Sequence, residues 1–394
     1  KMMNHIRSGE QVTDKRGIEE ADEKFNIINL VCTGAMMKIF PCRNIAGKTL
    51  EWYSQSDQLP QDMDNDKWVF IRKSMSYVNE MIVMKKYNDA CLLLEKIKKY
   101  QQKECDGLLP ADNKFKAEKI YNQFDYSKSV AMACICIGLI CFIYYCHCMA
   151  SQKRTSRKAI IILNILLWIV FTYLSAAICL RGYVSNHLPL SNGFETMQFM
   201  AWCTLLLTFL LQRKFAMLLP FGFLLCGLTL MVSMLGESNP QITQLMPVLQ
   251  SPLLSIHVVV IMIAYSLLAF IMLNGVTAVI LHQSQKECKE QIERLQIISQ
   301  IILYPAIFLL AIGIFIGAVW ANVSWGRYWG WDPKEVWALI TMLVYALALH
   351  PRSLPWFHRT MFFHVFCITA FITVLITYFG VNFLLGGMHS YANG

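Results

Sequence analysis

Trp325-Gly-Arg-Tyr-Trp-Gly-Trp-Asp-Pro-Lys-Glu-Val-Trp337 sets four tryptophans, a tyrosine, two glycines and charges of both signs between two long apolar runs. Rings that only fill a bundle core recur at helical intervals. Four indoles crowded around Gly326 and Gly330 exceed what packing requires, and they suit a flat, apolar ligand. The stretch also carries a helix start: Asp332 at an N-cap, Pro333 at the first helical position and Glu335 three residues after the cap. Trp331 and Val336 fall at the staple positions around it. Asp332 therefore reads as a cap, as a ligand contact, or as both.

The flanking runs decide the fold class. Of 394 residues, 56% are hydrophobic and 15% charged, and the mean hydropathy is +0.42. That balance excludes an ordinary soluble globule and indicates an all-α polytopic membrane protein. Residues 1–127 hold most of the charge and residues 128–394 nearly all the long apolar runs, which sets the expected domain boundary. Eight segments approach the ~20 apolar residues of a membrane helix: 128–149, 159–180, 196–212, 215–234, 257–283, 296–320, 335–350 and 360–385. Ahead of them, residues 1–60 read as a folded fragment of mixed character. Apolar spacings of three and four predict helix from Lys67 to about Lys103 and again from Phe115 to Phe124, with Gly107 and Pro110 between them.

Loop charges set orientation. Lys153, Arg154, Arg157 and Lys158 follow the first span, Arg213 and Lys214 the third, Lys286, Lys289 and Arg294 the fifth, and Arg352 and Arg359 the seventh. Excess Lys and Arg mark cytoplasmic loops, so the loop 320–337, the tail after 385 and residues 1–127 face outward. Residues 1–127 are then an extracytoplasmic segment. Such a segment needs a preceding signal or span, so the chain is expected to be the C-terminal portion of a longer protein. The net charge of +9 reports this orientation rather than a nucleic-acid partner.

Most of the fourteen cysteines lie in or beside apolar runs, where they act as small hydrophobic filler. Cys32, Cys42, Cys91 and Cys105 lie in the polar part and could pair in an oxidising space. Cys146-His-Cys148 has metal-ligating residue types, but three adjacent helical residues point in different directions and cannot all reach one ion.

Histidines sort by depth. His257 begins the fifth span at its outer end and His389 follows the eighth, both at the depth of the tryptophan stretch. Two neutral imidazoles converging on an aromatic cavity are what a six-coordinate haem iron requires. Trp325, Trp329, Trp331 and Trp337 would face the macrocycle; Arg327 and Lys334, with the helix start at Asp332, would draw its propionates. His350 ends the seventh span, about 20 Å below, and so cannot serve the outer site. His187, and Glu195 beside it in the same outer stretch, are lesser candidates for lining the cavity.

The tryptophan stretch resembles the "WWD" signature of the haem-handling proteins of cytochrome c biogenesis. His187-Leu-Pro-Leu-Ser-Asn-Gly-Phe-Glu195, Leu249-Gln-Ser-Pro-Leu-Leu-Ser-Ile-His257, Leu349-His-Pro-Arg352 and Gly387-Met-His-Ser-Tyr391 are similar to the CcsA (ResC) branch of System II cytochrome c synthases. The match covers 128–394, and residues 1–127 resemble the end of a CcsB (ResB) domain, as in fused CcsBA proteins. The resemblance implies transport of haem, as haem b, from the cytoplasmic side to an outer site, and its covalent attachment to apocytochrome c Cys-x-x-Cys-His segments. It implies His257 and His389 as outer iron ligands and His350 as an inner one. No catalytic acid or base is expected, because the substrate's own thiols are the nucleophiles. Apocytochrome c, thiol-reducing biogenesis proteins and a CcsB portion in the same or a separate chain are the implied partners, in a bacterial-type inner (plasma) membrane with the outer loop periplasmic. Two rivals stand beside this reading: a haem exporter or chaperone without synthase activity, and a polar-solute transporter using a histidine relay.

Overall fold

In the computed structural model the chain divides into two compact units, Lys1–Asp112 and Asn113–Gly394. The structure describes residues 15–43, 49–61, 63–105, 107–235, 239–242, 251–284 and 288–385. The composition boundary at 127 marks where the chain turns apolar. The packing boundary comes earlier, so the polar helix that precedes the first span clusters with the bundle.

The first unit holds α1 (Lys15–Cys32), an antiparallel pair β1 (Phe40–Arg43) and β2 (Leu50–Tyr53), α2 (Asn65–Val83) and α3 (Tyr87–Cys105). The helical pattern expected from Lys67 to Lys103 is interrupted at Lys85, which sits at φ 58° and turns the chain between α2 and α3. Phe40, Ile71, Val78 and Ile97 form the buried core. Tyr100 donates to the Pro41 carbonyl at 2.9 Å and Gln101 to the Ile39 carbonyl at 2.8 Å, which ties α3 to the strand pair.

Among its described residues the second unit contains helices and their connecting turns, with no strand. It comprises α4 (Asp112–Gln123), α5 (Ser127–Ala150), α6 (Arg157–Ser185), α7 (Gly193–Leu211), α8 (Leu218–Ser233), α9 (Pro252–Gln283), α10 (Lys289–Trp325), α11 (Pro333–Leu347) and α12 (Thr360–Leu375). A 3-10 turn, Pro355–His358, precedes α12, which continues as a π-helix over Ile376–Leu385. Each of the eight expected apolar segments is a helix. Six are long and apolar enough to cross a membrane; α8, with 16 residues, and α11, with 15, are shorter. Of the most apolar window, 61% is buried in α9 and 17% in α6, so α9 is the bundle's central helix and α6 a peripheral one. Ile161, Ile165, Trp168 and Ile169 of α6 point outward, which leaves an apolar face suited to lipid.

Close helix contact depends on small residues where the hydrophobic effect offers little between membrane helices. A Cβ on Gly227 of α8 would lie 2.9 Å from the Ala131 carbonyl of α5, and one on Gly138 of α5 would lie 2.7 Å from the Leu224 nitrogen of α8. The two backbones therefore meet directly. At one end of the bundle Arg181 of α6 and Glu195 of α7 form a buried ion pair at 2.7 Å, exposed by 1% and 3%. Arg181 also donates to the Tyr121 hydroxyl of α4, the Asn239 side chain and the Pro240 carbonyl, while Glu195 accepts from the Ser191 amide and hydroxyl. With every guanidinium nitrogen and both carboxylate oxygens hydrogen-bonded, this hub ties α4, α6, α7 and the 239–240 turn together.

Candidate functional site

The tryptophan loop is shaped by backbone geometry before any ring is placed. Gly326 closes α10 in the left-handed conformation at φ 72°, and Trp331 takes φ 56° just before α11. A bulky residue rarely adopts that conformation, which costs about 1–3 kcal/mol and persists only where its surroundings enforce it. Glu335 supplies the enforcement: its carboxylate accepts from the Gly330 amide at 2.8 Å and the Asp332 amide at 3.2 Å. Asp332, 5% exposed, accepts from the Lys334 amide at 3.0 Å and completes a capping box. Asp332 is therefore a cap in the structure.

The rings stand around this frame. Trp320, buried beneath the loop, meets Trp325 edge-on with centroids 4.8 Å apart, and Trp329 meets Trp331 at 6.1 Å and 89°. The Trp331 ring is 75% exposed and Tyr328 is 61% exposed, so the loop presents aromatic surface outward. The Arg327 guanidinium lies over Gly330, where a Cβ would come within 3.3 Å of it. Burial lowers the Lys334 ammonium from its ordinary pKa, and the Asp332 carboxylate pulls it back up.

His257 lies in the second turn of α9, half-buried against α10. Its Nδ1 is 2.7 Å from the Gly313 carbonyl oxygen. A carbonyl only accepts, so the proton is on Nδ1 and Nε2 is the nitrogen with the in-plane lone pair. That is the arrangement of a metal-ligating imidazole oriented by a backbone acceptor. His257 sits below the loop rather than level with it: from Gly317, which touches its ring, to Trp325 α10 rises about 12 Å. Trp320 lies between these two levels.

Comparison with known proteins decides the family. The profile described as "Cytochrome C assembly protein" matches residues 190–389, just over half of the chain. The cytochrome c biogenesis protein CcsA of Chlamydomonas reinhardtii is 35% identical over 253 residues, covering 61% of this chain and 71% of that protein. The chain belongs to the cytochrome c assembly protein family. CcsA of Prochlorococcus marinus strain MIT 9301 is 31% identical over 276 residues. Protein NrfI of Wolinella succinogenes is 31% identical over 379 residues, which is 95% of this chain and 42% of NrfI. The chain thus spans less than half of that longer relative's length.

Within this cytochrome c assembly protein the expected site residues fall at different levels. Trp325, Arg327, Trp329, Trp331, Asp332, Lys334 and Trp337 lie in or beside the one loop and the first turn of α11. His389 lies outside the described residues. His350 is exposed in the turn after α11, its amide bonded to the Leu347 carbonyl at 3.1 Å, at the opposite end of that helix from the loop. His187, after α6, has Nδ1 2.9 Å from the Leu188 carbonyl. Glu195 is engaged by Arg181, which accounts for its burial. Sequence reasoning passed over Gly313, Gly317, Trp320 and Arg181. The signal for the first two was present as Gly313-x-x-x-Gly317, a spacing that lets another helix approach. Arg181 gave no signal, because a single arginine at a span's end looks like an interfacial anchor.

Proposed function

We propose that this chain carries haem from the cytoplasmic side of the membrane to an outer site and attaches it covalently to apocytochrome c. The observation that supports this most is the Nδ1 bond from His257 to the Gly313 carbonyl, beneath a capped tryptophan loop with Arg327 and Lys334 in it. His257 and His389 are the proposed outer iron ligands, and His350 the inner one. Haem enters as substrate and supplies the iron and two vinyl groups. For each thioether, a substrate thiol's sulfur bonds to a vinyl carbon and its hydrogen goes to the neighbouring carbon, without net redox change. The protein's residues bind and orient: the indoles of Trp325, Trp329, Trp331 and Trp337 set the plane, Arg327 and Lys334 meet the carboxylates, and His257 holds the metal side.

Family membership supports a role in cytochrome c biogenesis, and the names of CcsA relatives support the same step. A CcsB-like portion, in the same or another chain, and thiol-reducing proteins complete the proposed machinery in a bacterial-type inner membrane. Co-expression with an apocytochrome separates this reading from a haem exporter lacking synthase activity. Covalent haem on the apocytochrome, dependent on His257, is expected; haem that stays extractable by acidified solvent would refute attachment.

A further inference from the structure

We infer that Gly313 and Gly317 are positioning residues for His257: one carbonyl decides which ring nitrogen carries the proton, and one missing side chain decides where the ring lies. This rests on the reading of His257 as an iron ligand. In an α-helix the carbonyl of residue 313 already receives the N–H of residue 317. A carbonyl oxygen has a second lone pair, and His257 Nδ1 uses it at 2.7 Å. The ring reaches that lone pair only because position 317 is glycine. A Cβ there would lie 2.7 Å from the imidazole Cε1, 2.8 Å from Nδ1 and 3.4 Å from Nε2. Contacts under 3.0 Å force something to move, and the imidazole, on one short side chain, has little freedom to do so without leaving the carbonyl.

Three consequences follow for the ligand. The proton is held on Nδ1, so Nε2 is always presented as the lone-pair nitrogen. The acceptor strengthens the basicity of Nε2, which favours the more oxidised iron. The plane of the ring is fixed to α10, the same helix that ends in Trp325, so the ligand and the tryptophan loop share one rigid support. Gly313 differs from Gly317 in what its own Cβ would meet: the Ile261 side chain, at 2.5 Å from Cδ1, rather than the histidine. It contributes its carbonyl, which any residue retains.

The test has two arms on the full chain. In the first, without haem, nitrogen-15 magnetic resonance of histidine-labelled protein reads the His257 tautomer. Protonation at Nδ1 is expected in the wild type and in Gly313→Ala, and its loss in Gly317→Ala. An Nε2–H tautomer in the wild type, or a Gly317→Ala protein with the wild-type tautomer, overturns the inference. The wild-type measurement stands even where Gly317→Ala folds poorly. In the second arm the protein is loaded with haem. Gly317→Ala is expected to hold it about tenfold or more weakly, with a higher reduction potential and a spectrum shifted toward that of His257→Gly. If His257→Gly keeps the wild-type spectrum, the ligand reading itself fails while the tautomer result remains as measured. If His257→Gly changes and Gly317→Ala does not, the positioning inference alone fails.

Discussion

Glu335 holds the loop by two amides, so at the scale of single residues it is the side chain whose loss should loosen the site first. Glu335→Ala leaves the Gly330 and Asp332 amides without their acceptor and should cost about 1–2 kcal/mol. Thermal unfolding in detergent measures this, and haem retention should fall with it; Glu335→Gln, which keeps an acceptor oxygen, should recover much of the loss. Trp331 makes the opposite case. Its φ of 56° is strained for tryptophan and relaxed for glycine. Trp331→Gly should therefore leave the melting temperature within a few degrees of wild type, yet weaken haem retention by removing an exposed ring; equal retention would remove Trp331 from the platform. Arg181 and Glu195 carry a prediction about stability. Arg181→Met strands a carboxylate that is 3% exposed and should cost about 3–5 kcal/mol, read by the same melts.

Among elements, the α5–α8 pair is the place where one methyl group should matter most. Gly227→Ala would set its Cβ against the Ala131 carbonyl and the Ile135 amide, both backbone atoms at 2.9 Å that cannot swing aside. Overpacking of that kind costs about 1–3 kcal/mol, and limited proteolysis should show earlier cleavage beside α5 or α8 than in wild type. The helices also explain why apolar windows misplace their own ends. α10 starts at Lys289, not at the first apolar residue of its span, because Lys289-Glu-Gln-Ile-Glu-Arg294 is a good helix in water, with Glu290 and Arg294 one turn apart at 2.5 Å. Hydropathy finds the buried length of a helix, whereas backbone hydrogen bonding sets its full length. α8 stops at 16 residues and buries nearly every position, so protein rather than lipid surrounds it.

For the whole molecule, three helices among the described residues, α8, α9 and α10, lie between the basic turn at 213–214 and the tryptophan loop at 326–331. The charge rule predicts that the two lie on opposite sides of the membrane, with the loop outside, which requires each of the three helices to cross. Labelling of intact cells with an impermeant reagent should reach a tag in the loop and miss one in the turn. Labelling of both would show that the short α8 does not cross. In the first unit, burial pushes the Cys42 thiol above its ordinary pKa, whereas Cys32 and Cys91 are exposed. Thiolate forms later in such a site as pH rises, so alkylation of Cys42 between about pH 7 and 9 should lag behind both; mass spectrometry of iodoacetamide-treated protein gives the rates, and equal rates would mean that β1 is not packed as described. The residues by themselves determined eight apolar helices and the capped start at Asp332, because hydropathy and capping are local and need no partner. They also marked the tryptophan loop, since its composition is unlike anything a lipid-facing or core helix requires. Only the tertiary structure decided which carbonyl His257 bonds, that Glu195 belongs to Arg181, and that Gly317 makes room for a ring, because each depends on two helices meeting at one height. That height is set by the packing of side chains far apart in the chain.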